Sequence, residues 1–129
     1  MWTVWTPEIA DILRTYATVY GEFPEIRDIG LLHSAIERPQ AVVFGSEQYR
    51  SVDLKAAALL DSLCRNHSFV DGNKRCAWIS VRLTYYRNLK EVWVAGDDAA
   101  YSLVMRASSE HMDVADIAKR LSSGFAPLK

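Results

Sequence analysis

The stretch His67-Ser68-Phe69-Val70-Asp71-Gly72-Asn73-Lys74-Arg75 sets an imidazole, a carboxylate, a glycine, an amide and two cations within nine residues. These types at this spacing suit an anion site with a base beside it. Glycine lets backbone approach a ligand closely, and a helix beginning just after it aims its first free N–H groups at whatever sits there, which favours phosphate. Lys74 and Arg75 add formal charge to that positive end. Asp71 can hold a metal ion that bridges the same phosphates, and His67 is a side chain of the type that takes up a proton near neutral pH. Two cations in a first helical turn oppose the helix dipole at a cost of roughly a few tenths of a kcal/mol. A bound anion accounts for them better than solvation does. From the residues alone, a nucleotide-using transferase is the first hypothesis.

Such a loop works only if the elements on either side hold it. Downstream, Asn73 to about Asn88 reads as a helix apolar around much of its circumference, through Cys76, Ala77, Trp78, Ile79, Val81, Leu83, Tyr85 and Tyr86, and belongs at the centre of an all-α domain. Upstream, Asp53 to Asn66 carries Leu54, Ala57, Ala58, Leu60, Leu63 and Cys64, and its small residues allow neighbouring helices close approach. Four more helices complete a compact six-helix arrangement. One opens at Thr6-Pro7-Glu8, with Thr6 as cap, and runs to Tyr20 before Gly21; another spans Asp28 to Arg38, ended by Pro39. The last two run from Asp97 or Asp98 to about Ser109, and from Asp113 to Gly124. The nonapeptide then lies between the third and fourth helices. Gln40 to Gly45 is short, apolar and β-leaning without an obvious partner, which suits an irregular flap or one arm of a hairpin, and Val92-Trp93-Val94 suits a short extended piece.

At 129 residues the chain is expected to form one domain, residues 1–129. A formal charge of −1 provides no global attraction to nucleic acid or to an anionic membrane, so direct nucleic-acid binding is not expected and phosphate recognition must be local. Cys64 and Cys76 are too far apart for a CxxC pair and sit in apolar helical contexts, as buried thiols do. No stretch reaches the roughly 18 apolar residues a spanning helix needs, and a soluble, cytoplasmic protein is expected.

The nonapeptide resembles the signature of the Fic/Doc superfamily: His-x-Phe, two variable positions, Gly or Ala, Asn, Gly or Lys, then Arg. Every specified position is met. The likeness extends to Arg27-Asp28-Ile29-Gly30-Leu31-Leu32, Ala35-Ile36-Glu37-Arg38-Pro39-Gln40 and Lys55-Ala56-Ala57-Ala58-Leu59-Leu60, which look like the death-on-curing (Doc) branch. The Fic branch transfers AMP from ATP to a hydroxyl and usually has Gly before the first Arg and a second Arg three residues on; here those positions are Lys74 and Trp78. By resemblance to Doc, Lys there goes with an inverted ATP pose that turns the γ-phosphate toward the base. The resemblance implies a toxin of a toxin–antitoxin system that phosphorylates a protein hydroxyl, a threonine of elongation factor Tu, and so arrests translation. Gly72, where Doc has Ala, is Fic-like and keeps AMP transfer open; Ser68 replaces a common Pro.

On that resemblance His67 is the general base, Asp71 the Mg²⁺ ligand, and Gly72, Asn73, Lys74 and Arg75 the phosphate contacts, Asn73 through its side-chain amide as well as its backbone. Each has a plainer alternative: a solvated His, an Asp that only caps the helix, a Gly that only makes a turn, solvated cations. Phe69 is read as packing that anchors the loop, and Arg82 as a member of an internal ion pair more than as an extension of the basic strip. His33, His111, Trp2, Trp5, Trp78 and Trp93 are read as structural or exposed. The resemblance also implies a flap at this place that aligns the target peptide by strand-like pairing, for which Val42, Val43 and Phe44 have the composition, although a loop covering the core fits equally well. The inhibitory pattern of Fic proteins, Ser or Thr followed four residues later by Glu and then Gly or Asn, is approached only by Thr18 and Glu22, where Phe23 breaks it. A separate Phd-like antitoxin with a segment that folds on binding is therefore implied. A rival from another class is a non-catalytic module in which the motif only binds a phosphate-bearing partner.

Overall fold

Lys55 through Cys64 are all buried in the third helix, α3 (Val52–Arg65), where three consecutive alanines, Ala56 to Ala58, let neighbours approach closely. Around it, in a computed structural model that describes residues 3–129, are α1 (Ile9–Tyr20), α2 (Ile29–Glu37), α4 (Asn73–Leu89), α5 (Asp97–Ser109) and α6 (Val114–Gly124). α4 and α6 make the most extensive contacts with α3, α5 and α2 pack more lightly on it, and α1 lies against α4. The shared core holds Ile12, Leu32, Leu59, Leu60, Leu63, Phe69, Tyr85, Ile117 and Leu121, all essentially sealed from solvent. Burying a side chain of this kind contributes about 1.5–3 kcal/mol. The all-α, six-helix arrangement read from the sequence is present among the described residues. Trp2 lies outside them.

Three details differ from the sequence expectation, each for a physical reason. The helix at the centre is α3; α4 keeps Lys74, Arg75, Arg82, Tyr86 and Arg87 exposed, a charged and aromatic face toward solvent. α1 is capped at Glu8, whose N–H donates to the Asp11 carboxylate at 2.8 Å; the expected cap, Thr6, instead accepts a bond from Gln40 Nε2 at 2.9 Å. α5 begins after Gly96, so Asp97 and Asp98 sit in its first turn, where carboxylates face the positive helix end. The apolar run after the second helix is one arm of a hairpin, one of the two forms expected for it: β1 (Val42–Val43) pairs with the polar β2 (Ser46–Glu47), closed by Phe44 and Gly45 at φ 50° and 79°. Two consecutive positive φ values are those of a type I′ turn.

A second ribbon, β3 (Glu91–Trp93) with β4 (Phe125–Pro127), is antiparallel in the register Glu91↔Pro127, Val92↔Ala126, Trp93↔Phe125. Three residues ending in proline carry too little pattern to read as a strand. The ribbon packs along α4: Phe125 stacks on Tyr85, toward the far end, with ring centroids 3.9 Å apart, and Trp93 meets Trp78, nearer the start, edge-on at 5.0 Å. Tyr85 also donates its hydroxyl to Asp53 in the first turn of α3, and burial followed by that bond pushes its pKa up. α4 is thereby fixed to α3 at the end opposite the nonapeptide. Gly124, at the junction of α6 and β4, lies so close to the Trp93 ring that a methyl group there would overlap it. Gly124→Ala is expected to destabilise the fold by about 1–3 kcal/mol through overpacking, read as a lowered urea midpoint; an unchanged midpoint would show that the ribbon does not clamp α4.

Candidate active site

α3 ends at Asn66, and His67 turns the chain away with φ 49°, a left-handed conformation uncommon for a non-glycine residue. What holds the reversed backbone is a strap some forty residues upstream. Glu25 to Asp28, the connection into α2, runs antiparallel to the loop through an Ile26↔Phe69 bridge. Val70 N–H donates to Glu25 O at 2.9 Å, and the N–H groups of Arg27 and Asp28 both donate to Ser68 O, at 2.8 and 3.1 Å. The Arg27 guanidinium adds bonds to His67 O at 2.7 Å and Asn66 O at 3.3 Å. Below the strap, the Phe69 ring is sealed into the core. The His67 imidazole stays exposed, so its backbone is fixed while its side chain remains open to a substrate.

The Asn73 side chain closes the loop. Its carbonyl accepts from Phe69 N–H at 2.9 Å and its amide donates to Phe69 O at 3.0 Å, so both polar ends are committed to the chain itself. The sequence reading gave that amide to the phosphates; the structure gives it to the loop, and only the Asn73 backbone N–H remains at the helix end. Gly72, the N-cap of α4, has φ 85° and no side chain to cap the first turn. The N–H groups that open a helix have no intrahelical partner, and here they keep that capacity for an anion. A Cβ at Gly72 would lie 2.7 Å from the Tyr16 hydroxyl, so glycine is required by its conformation and by the ring beneath it.

Asp71 is exposed and spends one oxygen on Gly72 N–H at 2.8 Å, leaving the other free. Among the described residues no group of three or more His, Cys, Asp or Glu side chains is placed to hold a metal ion. One free carboxylate beside a phosphate site nevertheless fits Mg²⁺, which keeps most of its waters and is bound through one or two carboxylates plus substrate phosphates. Lys74 is exposed. Arg75 is exposed as well, but its guanidinium rests on α1: it lies 5.0 Å from the centre of the Tyr20 ring and 3.5 Å from the Tyr16 hydroxyl, and that hydroxyl raises its pKa further. Tyr16 and Tyr20, 4.7 Å apart, thus form a shelf for Arg75, a pairing the sequence does not reveal because the partners lie on helices far apart along the chain.

Lys74, Arg75 and Trp78 also line a cavity of about 500 Å³ between α1, α4 and α5, together with Tyr20, Ile79 and Tyr101. Arg82 borders the same cavity; it is exposed and makes no ion pair among the described residues, contrary to the internal pairing expected for it. Val42, Val43 and Phe44 are exposed on their hairpin and stand on α3 through Lys55, apart from the strap. Cys64 and Cys76 are buried free thiols, pushed up to about 12 by burial, which removes them as nucleophiles near neutral pH. His33 and His111 are exposed, and Arg65 lies 2.8 Å from His111 Nδ1.

The arrangement therefore joins an exposed imidazole, a free carboxylate, uncapped helix amides and two cations on one rigid loop. Comparison with known proteins gives the family of the chain. The Fic/DOC family model matches residues 6–84, more than half of the chain. A curated relative, "Toxin Doc" of Mycolicibacterium smegmatis, is 40% identical over 119 residues, covering 90% of this chain and 89% of its own length. The matched span contains the strap, the flap, α3 and the whole nonapeptide, so the chain belongs to the Fic/DOC family.

Proposed function

We propose that the protein is a Doc-type toxin of a toxin–antitoxin system that moves the γ-phosphoryl group of ATP to a protein hydroxyl, with a threonine of elongation factor Tu as the acceptor. The observation that carries this reading is the start of α4: an uncapped helix end with Lys74 free beside it, and Trp78 one turn on, packed toward Trp93 and Phe125 where Fic enzymes place a second arginine. Gly72 does not speak for AMP transfer in this chain, since Tyr16 and a positive φ demand glycine whatever the reaction.

In the proposed reaction His67 takes the proton of the acceptor hydroxyl as its oxygen forms a bond to the γ-phosphorus. The bond from that phosphorus to the bridging oxygen breaks, and ADP leaves with the electron pair. The amides at the head of α4, with Lys74 and Arg75, bind the phosphates and stabilise the charge that spreads over them. Arg75 would leave the Tyr20 ring to do so. Mg²⁺, held by the free oxygen of Asp71, would supply neutralisation of the transferring phosphates. Positioning by the strap and by Asn73 keeps base and phosphate in line, which matters because this chemistry depends on alignment and electrostatics more than on covalent help from the protein.

Control by a separate, Phd-like antitoxin is part of the proposal. Within the chain, α1 stops at Tyr20, before Glu22, and the Thr18 hydroxyl is bonded to Arg14 O at 2.9 Å. The cavity beside the motif, apolar at Ile79 and Tyr101 with Lys74, Arg75 and Arg82 around it, suits an amphipathic segment that carries acidic groups.

Parallel incubations with α-labelled and γ-labelled ATP, Mg²⁺ and elongation factor Tu separate the reactions. Label is expected only from the γ position, and label arriving only from the α position would replace this reading with AMP transfer. His67→Ala is expected to lower the rate by about 10²–10⁴-fold, and to relieve growth arrest on expression; arrest that persisted would favour a binding module. Chelation of Mg²⁺ with EDTA is expected to abolish transfer, and full activity in EDTA would remove Asp71 from its assigned role. Asn73→Ala leaves the Phe69 N–H and C=O without partners, with an expected stability loss of about 1–3 kcal/mol together with reduced activity. An unchanged melting temperature in that variant would contradict the loop-closing role.

A further inference from the structure

We propose that Lys55 and Arg38 are positioning residues that lock to α3 the β1–β2 hairpin, the flap to which the family resemblance assigns the acceptor peptide. The acceptor part of this inference rests on the reading of the site given above; the lock itself does not. A hairpin of two residue pairs, with one further bond from Gln48 N–H to Ala41 O, is too short to hold its own shape in water. Its rigidity has to come from below.

Lys55 is 1% exposed, and its ammonium has three acceptors: Pro39 O at 2.8 Å, Gln40 Oε1 at 3.3 Å and Glu47 Oε1 at 3.2 Å. Two of these precede the hairpin and the third lies in its returning strand. An ammonium has three donors, so the buried charge is fully used in tying the two ends of the flap together. Arg38 repeats the device one turn along α3. Its Nε donates to the Tyr49 hydroxyl at 3.0 Å, beyond the hairpin, while Nη1 donates to Asp61 Oδ2 at 2.7 Å, Ser62 Oγ at 2.9 Å and Ala58 O at 3.3 Å. Burial lowers the Arg38 pKa, but the bonds to Asp61 and Tyr49 outweigh it and the net direction is up. A role in packing alone would be met by an apolar side chain in place of Lys55, which carries no desolvation cost.

Asp61 is shared: its other oxygen lies 2.8 Å from Arg65 Nε, two residues before His67. From Asp61 to Arg65, the last residue of α3, is four residues, a rise of about 6 Å, and His67 follows two residues on. One rigid helix therefore sets both the flap and the base. At the free end of the hairpin Val42, Val43 and Phe44 are exposed, and Phe44 is fully so. An apolar tip on a fixed base is what an incoming strand needs for backbone pairing and side-chain contact.

The test uses the whole protein and two variants. Lys55→Met removes the buried charge with little change in volume, and Glu47→Gln alters a half-exposed carboxylate whose loss does not threaten folding. Hydrogen exchange of residues 41–48, measured without nucleotide or acceptor, is expected to speed up about tenfold in Lys55→Met, and less in Glu47→Gln, with α6 unaffected. In steady-state transfer to elongation factor Tu, the acceptor KM is expected to rise about tenfold while kcat and the KM for ATP hold. Unchanged flap exchange in both variants would overturn the lock, and a KM for ATP that rose with the acceptor's would overturn its role in acceptor placement. If the unaltered protein transfers no label, the reading of the site fails, and the exchange arm still decides the lock. Should Lys55→Met not fold, Glu47→Gln and Tyr49→Phe decide it by the same two readouts.

Discussion

The pair of hydrogen bonds between the Asn73 side chain and the backbone of Phe69 is the constraint on which the site depends. With both amide ends bound at 2.9 and 3.0 Å, residues 69 to 73 become a closed ring. That ring places the first turn of α4 directly after the reversed backbone at His67. Phe69 drives the ring into the core, and the strap of Glu25 to Asp28 holds its outer edge. Each bond alone contributes about 0.5–1.5 kcal/mol. Their combined effect is geometric: a segment with a left-handed residue at each end, His67 and Gly72, is kept in one conformation that neither would hold by itself.

From this constraint the electrostatics follow. α4 begins at a glycine, which adds no side chain over the positive helix end. The cations nearby are at the surface and therefore cost little to keep charged. Arg75 is held by an aromatic ring and by a neutral hydroxyl at 3.5 Å, contacts that a phosphate can outcompete because it offers the guanidinium an opposite charge and paired acceptor oxygens. Thiol chemistry is excluded by burial of Cys64 and Cys76. The remaining reactive groups are an imidazole and a carboxylate flanking an uncapped helix end with two cations, an arrangement suited to phosphoryl or nucleotidyl transfer.

The helices and the chemical loop were legible because their signals are local. Helical periodicity marks α1 to α6, and the nonapeptide concentrates its reactive groups in contiguous residues. What escaped reading depends on distant partners. The strap lies some forty residues before the loop and contributes mainly backbone bonds, which have no side-chain signature. The role of the Asn73 amide was misassigned because an amide that reaches a ligand and one that reaches its own loop have the same sequence. Nothing local in the sequence marks Lys55 as buried, yet it is, with three acceptors around it. The partner strands of both ribbons are two or three residues long, below the length at which alternation can be seen.

The most direct test of this account is a crystal structure of the protein with Mg²⁺ and a non-hydrolysable ATP analogue. The account expects the phosphates over the amides at the head of α4, Arg75 turned from Tyr20 toward them, and the γ-phosphate nearest His67. The α-phosphate nearest His67, or a nucleotide bound away from residues 67–75, would contradict it.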